Sequence, residues 1–240
     1  MFTAAIILSL TFTLLGFFVT VNNAKYILSG YNTMSEADRA KMDIEQYLRF
    51  FKRFHLILGA TLLAGYLILQ SINNNWASAY LILYPLLSYV FLIGKGVTFY
   101  HGTSGQRVGT FVGMAILVVI TIAIGMQLFA SLRNSEVFLT IDQVQIKGMY
   151  GIRIDKDDIT GIALVRELPP ISHKTNGFAA GNFAKGSFKT VDGQPVRLYV
   201  NKKAKPFLEI RTTGHEAVYY SSDEMPAVDV YRQLRTWRIE

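Results

Sequence analysis

The 240-residue chain contains no cysteine. This excludes disulfide bonds, thiol nucleophiles and thiolate metal sites, while the compartment stays open. The four histidines lack the spacing of a metal site, and no nucleophile stands at a recognisable distance in sequence from a base. They are His55, His101, His173 and His215. The sequence therefore predicts no cofactor and no metal site, and we expect a protein that is not an enzyme.

Charge is missing from long tracts of the first half. Asp, Glu, Lys and Arg are absent before Lys25, between Phe54 and Gly94, and between Val108 and Leu132. A transmembrane helix needs roughly 20 apolar residues, so the middle tract is too long for one helix. It divides at Asn73–Trp76, because amides and an indole suit the water boundary. Four membrane spans are predicted, at about residues 4–21, 56–72, 77–93 and 108–131, within a domain of residues 1–132.

The distribution of Lys and Arg predicts the sidedness of these spans. The first span lacks the positive charge that opens a cleaved signal peptide, so we expect it to be retained. Basic residues occur in the loops after the first and third spans, and are absent from the N-terminal stub and the Asn-rich turn. Basic loops remain in the cytoplasm. Four spans then place the C-terminal half outside; its own basic residues favour the alternative, a cytoplasmic domain.

A polar, charged segment, Ser29–Asp43, follows the first span. Ser35 is predicted to cap a helix that has Glu36 and Asp38 in its first turn. The apolar stripe that follows is typical of an amphipathic helix at the cytoplasmic face, which bends into the second span.

Two features of the spans bear on transport and on the packing of the helices. No ionisable side chain lies inside a predicted span, which argues against an ion-coupled transporter. Gly105, Gly109 and Gly113 recur every four residues, and this spacing predicts close packing of the fourth helix against another helix.

The stretch ILSGYNTMSEADRAKMD, followed by paired hydrophobic spans, resembles a family of bacterial integral membrane proteins of unknown function. The family's signature is a GYNTMS-type motif after the first span. The resemblance covers about Met1 to Gly96 and implies a multi-pass protein of the bacterial plasma membrane. The family has no established activity, so the resemblance implies topology and no mechanism.

From Glu136 onward, short alternating apolar runs are separated by turn signals such as Asp192-Gly193. The predicted strands are Val137–Ile141, Gln143–Gly148, Gly151–Asp155, Ile159–Leu168, Gly186–Thr190, Val196–Asn201, Phe207–Thr212 and Ala217–Ser222. A final helix, capped by Ser222 or Asp223, is predicted to bury Tyr231, Leu234 and Trp237.

About seven antiparallel strands closed by a C-terminal helix predict a barrel like that of pleckstrin-homology (PH) domains, over residues 133–240. The stretch RELPPISHKTNGFAAGNFAKGSFKTVDGQPVRLYVNKKAKPFLEI resembles bacterial PH-like (bPH) domains, and this likeness covers about Glu136 to Arg238. No binding residues are implied by it.

The glycine-rich segment Gly177–Gly186 is not a phosphate-binding Walker loop, because Ser187-Phe188 stand where Lys-Ser/Thr is required. We interpret it as a structured loop between strands. Its phenylalanines either pack on the barrel or insert into a membrane surface.

Basic residues cluster between Lys174 and Lys205, with Asp192 as the acidic exception. The candidate residues for binding a headgroup or partner are Lys174, Lys185, Lys189, Lys202, Lys203 and Lys205, here called the basic rim. Such a rim beside a bilayer attracts anionic headgroups by roughly 1 kcal/mol per well-placed charge. An ordinary solvated face is the alternative.

The leading hypothesis is a multi-pass membrane protein that presents a PH-like domain for binding protein or lipid headgroups. The alternative is a small transporter, or an accessory subunit of one, with a regulatory PH-like domain. Expected partners are membrane lipids together with a protein partner or a second copy of the chain. The lack of a long tail of one charge argues against nucleic acid.

Overall fold

The computed structural model describes residues 1–102 and 104–239. The chain forms two compact units, Met1–Gln127 and Leu128–Glu240. The helices of the first unit are α1 (Phe2–Phe18), α2 (Ala24–Ile27), α3 (Glu36–Arg39), α4 (Ile44–Ile72), α5 (Asn74–Gly96) and α6 (Ser104–Ser131), with a 3-10 helix at Val97–Phe99. Helix α6 continues across the boundary into the second unit.

Three stretches of helix in the described part of the chain are long and apolar enough to cross a membrane: Ile44–Ile72, Asn74–Phe99 and Arg107–Ser131. They contain the second, third and fourth predicted spans. The first predicted span coincides with α1, an apolar helix of 17 residues. The membrane-like character of the first half is thus confirmed for three helices, whereas the crossing of a membrane by α1 stays a prediction.

Helix α1 packs antiparallel to α4 through residues with little or no side chain. A Cβ atom added at Gly59 of α4 would lie 2.2 Å from Thr13 Oγ1 and 2.7 Å from the Ser9 carbonyl oxygen. Near the other end of α1, one added at Gly16 would lie 3.1 Å from the Lys52 carbonyl oxygen. Small residues allow two helix backbones to approach this closely.

The predicted helix from Ser35 into the second span is interrupted, and that prediction is wrong in this respect. Ser35 does cap α3, because its hydroxyl accepts from the Asp38 N–H at 3.1 Å. The chain then leaves the helix: the Asp43 N–H donates to the Phe99 carbonyl at 3.0 Å, and the His101 N–H donates to the Lys41 carbonyl at 2.9 Å.

These backbone hydrogen bonds flank an antiparallel bridge between Met42 and Tyr100. The contact between residues 38–43 and 99–101 is here called the loop junction. It joins the first and third loops at one end of the helical unit, as expected if both basic loops share one side. Asp43 then caps α4, since its carboxylate accepts from the Gln46 N–H at 3.0 Å.

The prediction that the glycine repeat packs against another helix is wrong for the single chain. A Cβ atom added at Gly105, Gly109 or Gly113 would have nothing within 4 Å among the described residues. Helix α6 leaves this face open, in contrast to α4 at Gly59.

After the end of α6, the described residues of the second unit form nine strands, a 3-10 helix at Lys156–Asp158 and one further α-helix. The strands are β1 (Val137–Leu139), β2 (Gln143–Ile146), β3 (Ile152–Asp155), β4 (Ile159–Val165), β5 (Ile171–Ala180), β6 (Phe183–Thr190), β7 (Pro195–Asn201), β8 (Phe207–Thr212) and β9 (Ala217–Ser221), and the helix is α7 (Ala227–Ile239). One sheet has the order β1-β2-β3 and the other β4-β8-β9-β7-β6-β5. The β-rich domain and its C-terminal helix are confirmed. Strand number and direction differ from the prediction, since nine strands replace about seven and β7 and β9 are parallel.

The six-stranded sheet is buried on both faces. Leu208, Tyr220 and Leu234 belong to one apolar cluster, which also contains the three-stranded sheet and α7. Leu198 and Phe207 belong to a second cluster on the opposite face. Leu234 is completely buried, while Tyr231 and Trp237 pack at the edge of the first cluster, so the predicted apolar face of α7 is confirmed.

The two edges of this sheet curve toward each other. Edge strands β4 and β5 are joined by the short segment Arg166–Pro170. Across a flat sheet of this size they would lie about 24 Å apart, whereas the six steps from Val165 to Ile171 reach at most about 20 Å. Val165, Leu168 and Ile171 also pack against one cluster.

The segment predicted as a loop, Gly177–Gly186, is the tip of the β5–β6 hairpin, so the loop prediction is wrong. The strands approach closely because Gly177 has no side chain: a Cβ atom there would lie 2.2 Å from the Lys185 carbonyl oxygen. Gly186 adopts a φ of +103°, which favours glycine. Phe183 and Phe188 are buried, which confirms that they pack against the domain.

Candidate functional site

The structure distributes the six lysines of the basic rim over three places. Lys174 on β5 and Lys189 on β6 are exposed neighbours, since Lys174 pairs with Phe188 in the strand register. Three more exposed lysines, Lys202, Lys203 and Lys205, lie in the turn between β7 and β8. Lys185 stands in the middle of β6 and is only 8% exposed.

The two exposed groups lie at opposite ends of strand β6. Phe183 pairs with Asn201, directly before the turn that carries three of the lysines, whereas Lys189 pairs with Pro195 at the far end of β7. Six residue-to-residue steps along the strand separate these positions by about 20 Å. The rim is therefore not one continuous patch, and headgroup binding by its members stays a prediction.

Lys185 lines a cavity of about 320 Å³ within the second unit. The C-terminal end of α6, from Phe129 to Ser131, forms one wall. The connection to β1 contributes Arg133, Asn134 and Glu136, and the β2–β3 turn contributes Lys147–Tyr150. We call this cavity the Lys185 pocket.

Lys185 is held in this pocket by the strand register and by one hydrogen bond. Lys185 lies opposite Tyr199 on β7 and Phe178 on β5. The buried Tyr199 hydroxyl donates a hydrogen bond to the Tyr150 carbonyl oxygen, which fastens the β2–β3 turn beside β6. The pocket wall and the lysine are thus held by the same pair of strands.

The electrostatic character of the pocket is cationic. Arg133, Lys147 and Lys185 line it together with one carboxylate, Glu136. The Arg133 guanidinium lies 4.2 Å from the centroid of the Phe129 ring, and the Lys147 ammonium lies 3.9 Å from that of Phe138. Aromatic faces attract cations without neutralising them.

Lys185 has no ion pair among the described residues, and its ammonium lies 5.6 Å from the centroid of the Phe183 ring. Burial lowers the pKa of Lys185 to about 8, because an ammonium is poorly solvated there. The side chain is still mostly protonated at neutral pH. A buried cation without a carboxylate partner is a strong candidate for a functional group.

Asn134 adds a hydrogen-bond acceptor to the lining. Its side-chain oxygen is buried and receives no hydrogen bond from the described part of the chain. Buried polar atoms in folded proteins are usually paired. The pocket thus combines three cations with an acceptor that can receive a hydrogen bond.

The clustering of lysines in the sequence points to Lys185 but not to the residues around it. Arg133 and Lys147 are isolated in sequence from the lysines after Lys174, and the pocket arises from the tertiary fold. The one local signal was the transition at Arg133, the first charge after the apolar run that ends at Leu132.

The helical unit contains a buried polar cluster that the sequence reasoning also missed. His55 directly precedes the second predicted span, and in the structure it lies within α4 and is completely buried. Its Nδ1 lies 2.8 Å from the Phe51 carbonyl oxygen and its Nε2 lies 3.0 Å from the Tyr89 hydroxyl. Thr61 and Tyr84 join α4 to α5 farther along, with their hydroxyl oxygens 2.6 Å apart. These hydrogen bonds connect the two helices.

Metal binding has no support from side-chain clustering. Within the described ranges, no group of three or more His, Asp or Glu side chains could hold a metal ion.

The comparisons with known proteins concern the helical half. Residues 6–100 match a family model described as a domain of unknown function, DUF3784. The match covers less than half of the chain. Over these residues the chain is similar to that family. Neither the curated proteins nor the solved structures give a match. The likeness of the C-terminal half to bPH domains therefore has no support from these comparisons.

Proposed function

We propose that this chain is a four-span membrane protein that presents its C-terminal domain for binding anionic lipid headgroups or a protein partner, without enzymatic activity. The observation that carries this proposal is the apolar exposure of the helices. Along α6, for instance, Val112, Ile116, Val119 and Ile122 are all exposed. Such a surface is unfavourable in water and suits lipid.

The packing of α1 supports a fourth span. Ala5, near the start of α1, shares a buried cluster with Leu62 and Tyr66 of α4. Its other end reaches Lys52, so α1 lies along the apolar part of α4. Its 17 residues extend about 25 Å, and Val19–Val21 lengthen the apolar run toward the roughly 30 Å of a bilayer core.

The curved six-stranded sheet and the packed helix α7 support a PH-like description of the C-terminal domain. The parallel pair β7–β9 departs from an all-antiparallel barrel. The proposal is therefore a PH-like architecture with a rearranged strand order, in which the domain serves as a binding module.

The location of the domain outside the cytoplasm follows from the even number of proposed spans and from the basic loops. A reporter enzyme that is active only outside the cytoplasm, fused after Glu240, is expected to be active. Activity of a cytoplasm-specific reporter alone would overturn the four-span topology.

A vesicle experiment tests headgroup binding by the exposed lysines. The fragment of residues 134–240 is expected to float with vesicles of anionic lipid and to be released by salt, since exposed charges are screened beyond about 10 Å at 0.1 M. Changing Lys202, Lys203 and Lys205 together to Glu should abolish this binding. Arg232→Glu with Arg235→Glu, on exposed positions of α7, is the matched control.

Equal binding of the fragment to neutral and anionic vesicles would reject headgroup binding by these lysines. The protein-partner form of the proposal would then be tested by purifying the full chain in mild detergent with its co-purifying proteins.

The transporter alternative would draw on the buried His55 and the half-buried Tyr89. Both ring nitrogens of His55 have hydrogen-bonding partners within the chain, and we favour a structural role for this pair over a proton path.

A further inference from the structure

We infer that the Lys185 pocket binds the phosphate of an anionic membrane lipid whose headgroup also carries a hydroxyl or amine. This inference rests on the proposed function and names a site for it. That site differs from the exposed lysines in the β7–β8 turn. In the sequence, Lys185 and these lysines are equal members of the basic rim.

The charge balance of the pocket favours an anion. Three cations face one carboxylate, and the most buried of the three, Lys185, has no ion pair within the described residues. Removing an ammonium from water destabilises the fold unless an opposite charge compensates it. A phosphate supplies that charge and accepts several charge-assisted hydrogen bonds from lysine and arginine.

The position of the pocket in the chain favours a lipid as the source of the phosphate. Phe129–Ser131 end an apolar helix that is long enough to span a membrane, and Arg133 is the first charged residue after it. The phosphates of a bilayer lie just beyond its hydrocarbon core, at the level where a span ends. Basic pockets next to membrane helices bind lipid headgroups by this arrangement.

The acceptor in the pocket narrows the class of headgroup. The buried side-chain oxygen of Asn134 can accept a hydrogen bond from a ligand, and a phosphate diester has no donor for it. A glycerol hydroxyl next to the phosphate would supply it. Phosphatidylglycerol meets both demands and keeps a net negative charge, whereas phosphatidylcholine offers no donor and is neutral overall.

The test uses the full chain in a nonionic detergent, titrated with phosphatidylglycerol or phosphatidylcholine of equal acyl length. Native mass spectrometry counts the lipids that remain bound. The wild type is expected to prefer phosphatidylglycerol at least tenfold. Lys185→Met keeps the length of the side chain and removes its charge, so it should weaken phosphatidylglycerol binding at least tenfold.

Arg235→Met is the control, because Arg235 is an exposed cation of α7 that lies outside both the basic rim and the lining of the Lys185 pocket. It should change the affinity less than twofold. Lys147→Ala, at an exposed wall of the pocket, should weaken binding about threefold and serves as a second variant should Lys185→Met fail to fold.

Two further results discriminate among explanations. Excess inorganic phosphate is expected not to displace the lipid; displacement would overturn the lipid assignment in favour of a soluble phosphate. Equal lipid binding by Lys185→Met and Arg235→Met, with both folded, would overturn the pocket. If the exposed-lysine variant still loses vesicle binding in that case, the proposed function stands while this site fails.

Discussion

The helical and β-rich units differ in how many of their large apolar side chains they leave exposed. In the helical unit, buried positions include small residues such as Ala5, Ser9 and Ala77. Many of its large apolar side chains are exposed. In the β-rich unit the core consists of large side chains, such as Leu208, Ile210 and Tyr220. From Arg133 onward, the exposed large hydrophobic residues of the described part are Phe138, Ile141, Met149, Leu164 and Val191.

This difference reflects the solvent for which each unit is built. Lipid tails are as apolar as leucine, so helices in a membrane associate through close packing and hydrogen bonds. In water the burial of apolar surface drives folding. The sensitive changes are therefore enlargements of small residues in one unit and truncations of large residues in the other.

The largest effect is expected from a truncation in the β-rich unit. Leu234→Ala removes a completely buried side chain of α7 and should lower the free energy of unfolding by about 4 kcal/mol, measured by urea denaturation of residues 134–240. Ile116→Ala, on the exposed surface of α6, should leave the melting temperature of the full chain in detergent unchanged. A loss of stability of similar size at both positions would contradict the difference between the two units.

The second effect concerns the buried charge of the β-rich unit. The folded-state pKa of Lys185 is lowered to about 8 from 10.5. Below about pH 8 the Lys185 side chain is charged in the folded protein, so the full destabilisation by its buried charge is present. This destabilisation disappears as the pH rises to 10.5, the pKa of the side chain in the unfolded chain. In lipid-free detergent, Lys185→Met should be more stable than the wild type by on the order of 3 kcal/mol at pH 7.

The advantage of Lys185→Met should shrink above pH 8 and vanish near the ordinary pKa of lysine. Thermal unfolding across this pH range measures it, and Lys189→Met should show no such trend. A Lys185→Met variant that is less stable than the wild type at every pH would show that the ammonium is compensated within the fold.

The third effect is an enlargement in the helical unit. Gly59→Leu places a side chain against Thr13 and the Ser9 backbone, and should cost about 2 kcal/mol by separating α1 from α4. Gly109→Leu, where the space is open, is the control and should be neutral. Melting temperatures of the full chain in detergent compare the two; equal effects would reject close packing of α1 on α4.

The smallest effect is expected at the loop junction. The hydroxyl of Ser35 and the ammonium of Lys41 lower the pKa of Asp38, and the Tyr100 hydroxyl also donates to its carboxylate. A lowered carboxyl pKa gives stability that is full above the ordinary value of 3.8 and is lost as the pH falls through the folded value.

Asp38→Asn should therefore accelerate proteolysis in residues 38–43 slightly at neutral pH. The rates of the variant and the wild type should converge in acid. A neutral-pH rate equal to that of the wild type would show that the Asp38 hydrogen bonds do not hold the junction.

The sequence was most informative where a local pattern decides the structure. Charge-free runs located the apolar helices, and alternation located most strands, because both patterns reflect burial on one face or on all sides. The helix break at Asn73 and the apolar face of α7 were also accessible, because capping and periodicity are local properties.

The features that the sequence did not reveal depend on contacts between distant residues. The segment from Ala40 to Asp43 leaves the helix because it pairs with residues after Val97. Strand β5 was missed because its polar outer residues and Gly177 give a weak strand signal. The Lys185 pocket joins residues near 130, 148 and 185, and such a site requires the fold. Charge alone could not separate the buried Lys185 from the exposed Lys189.

The most direct test of the account is the folding of residues 134–240 without a membrane. The β-rich unit has its own apolar clusters and is expected to give a soluble fragment whose far-ultraviolet circular dichroism is dominated by β-structure and which unfolds cooperatively. A spectrum dominated by helix, or a fragment that is insoluble under all conditions, would contradict the division of the chain into a lipid-covered half and a water-soluble half.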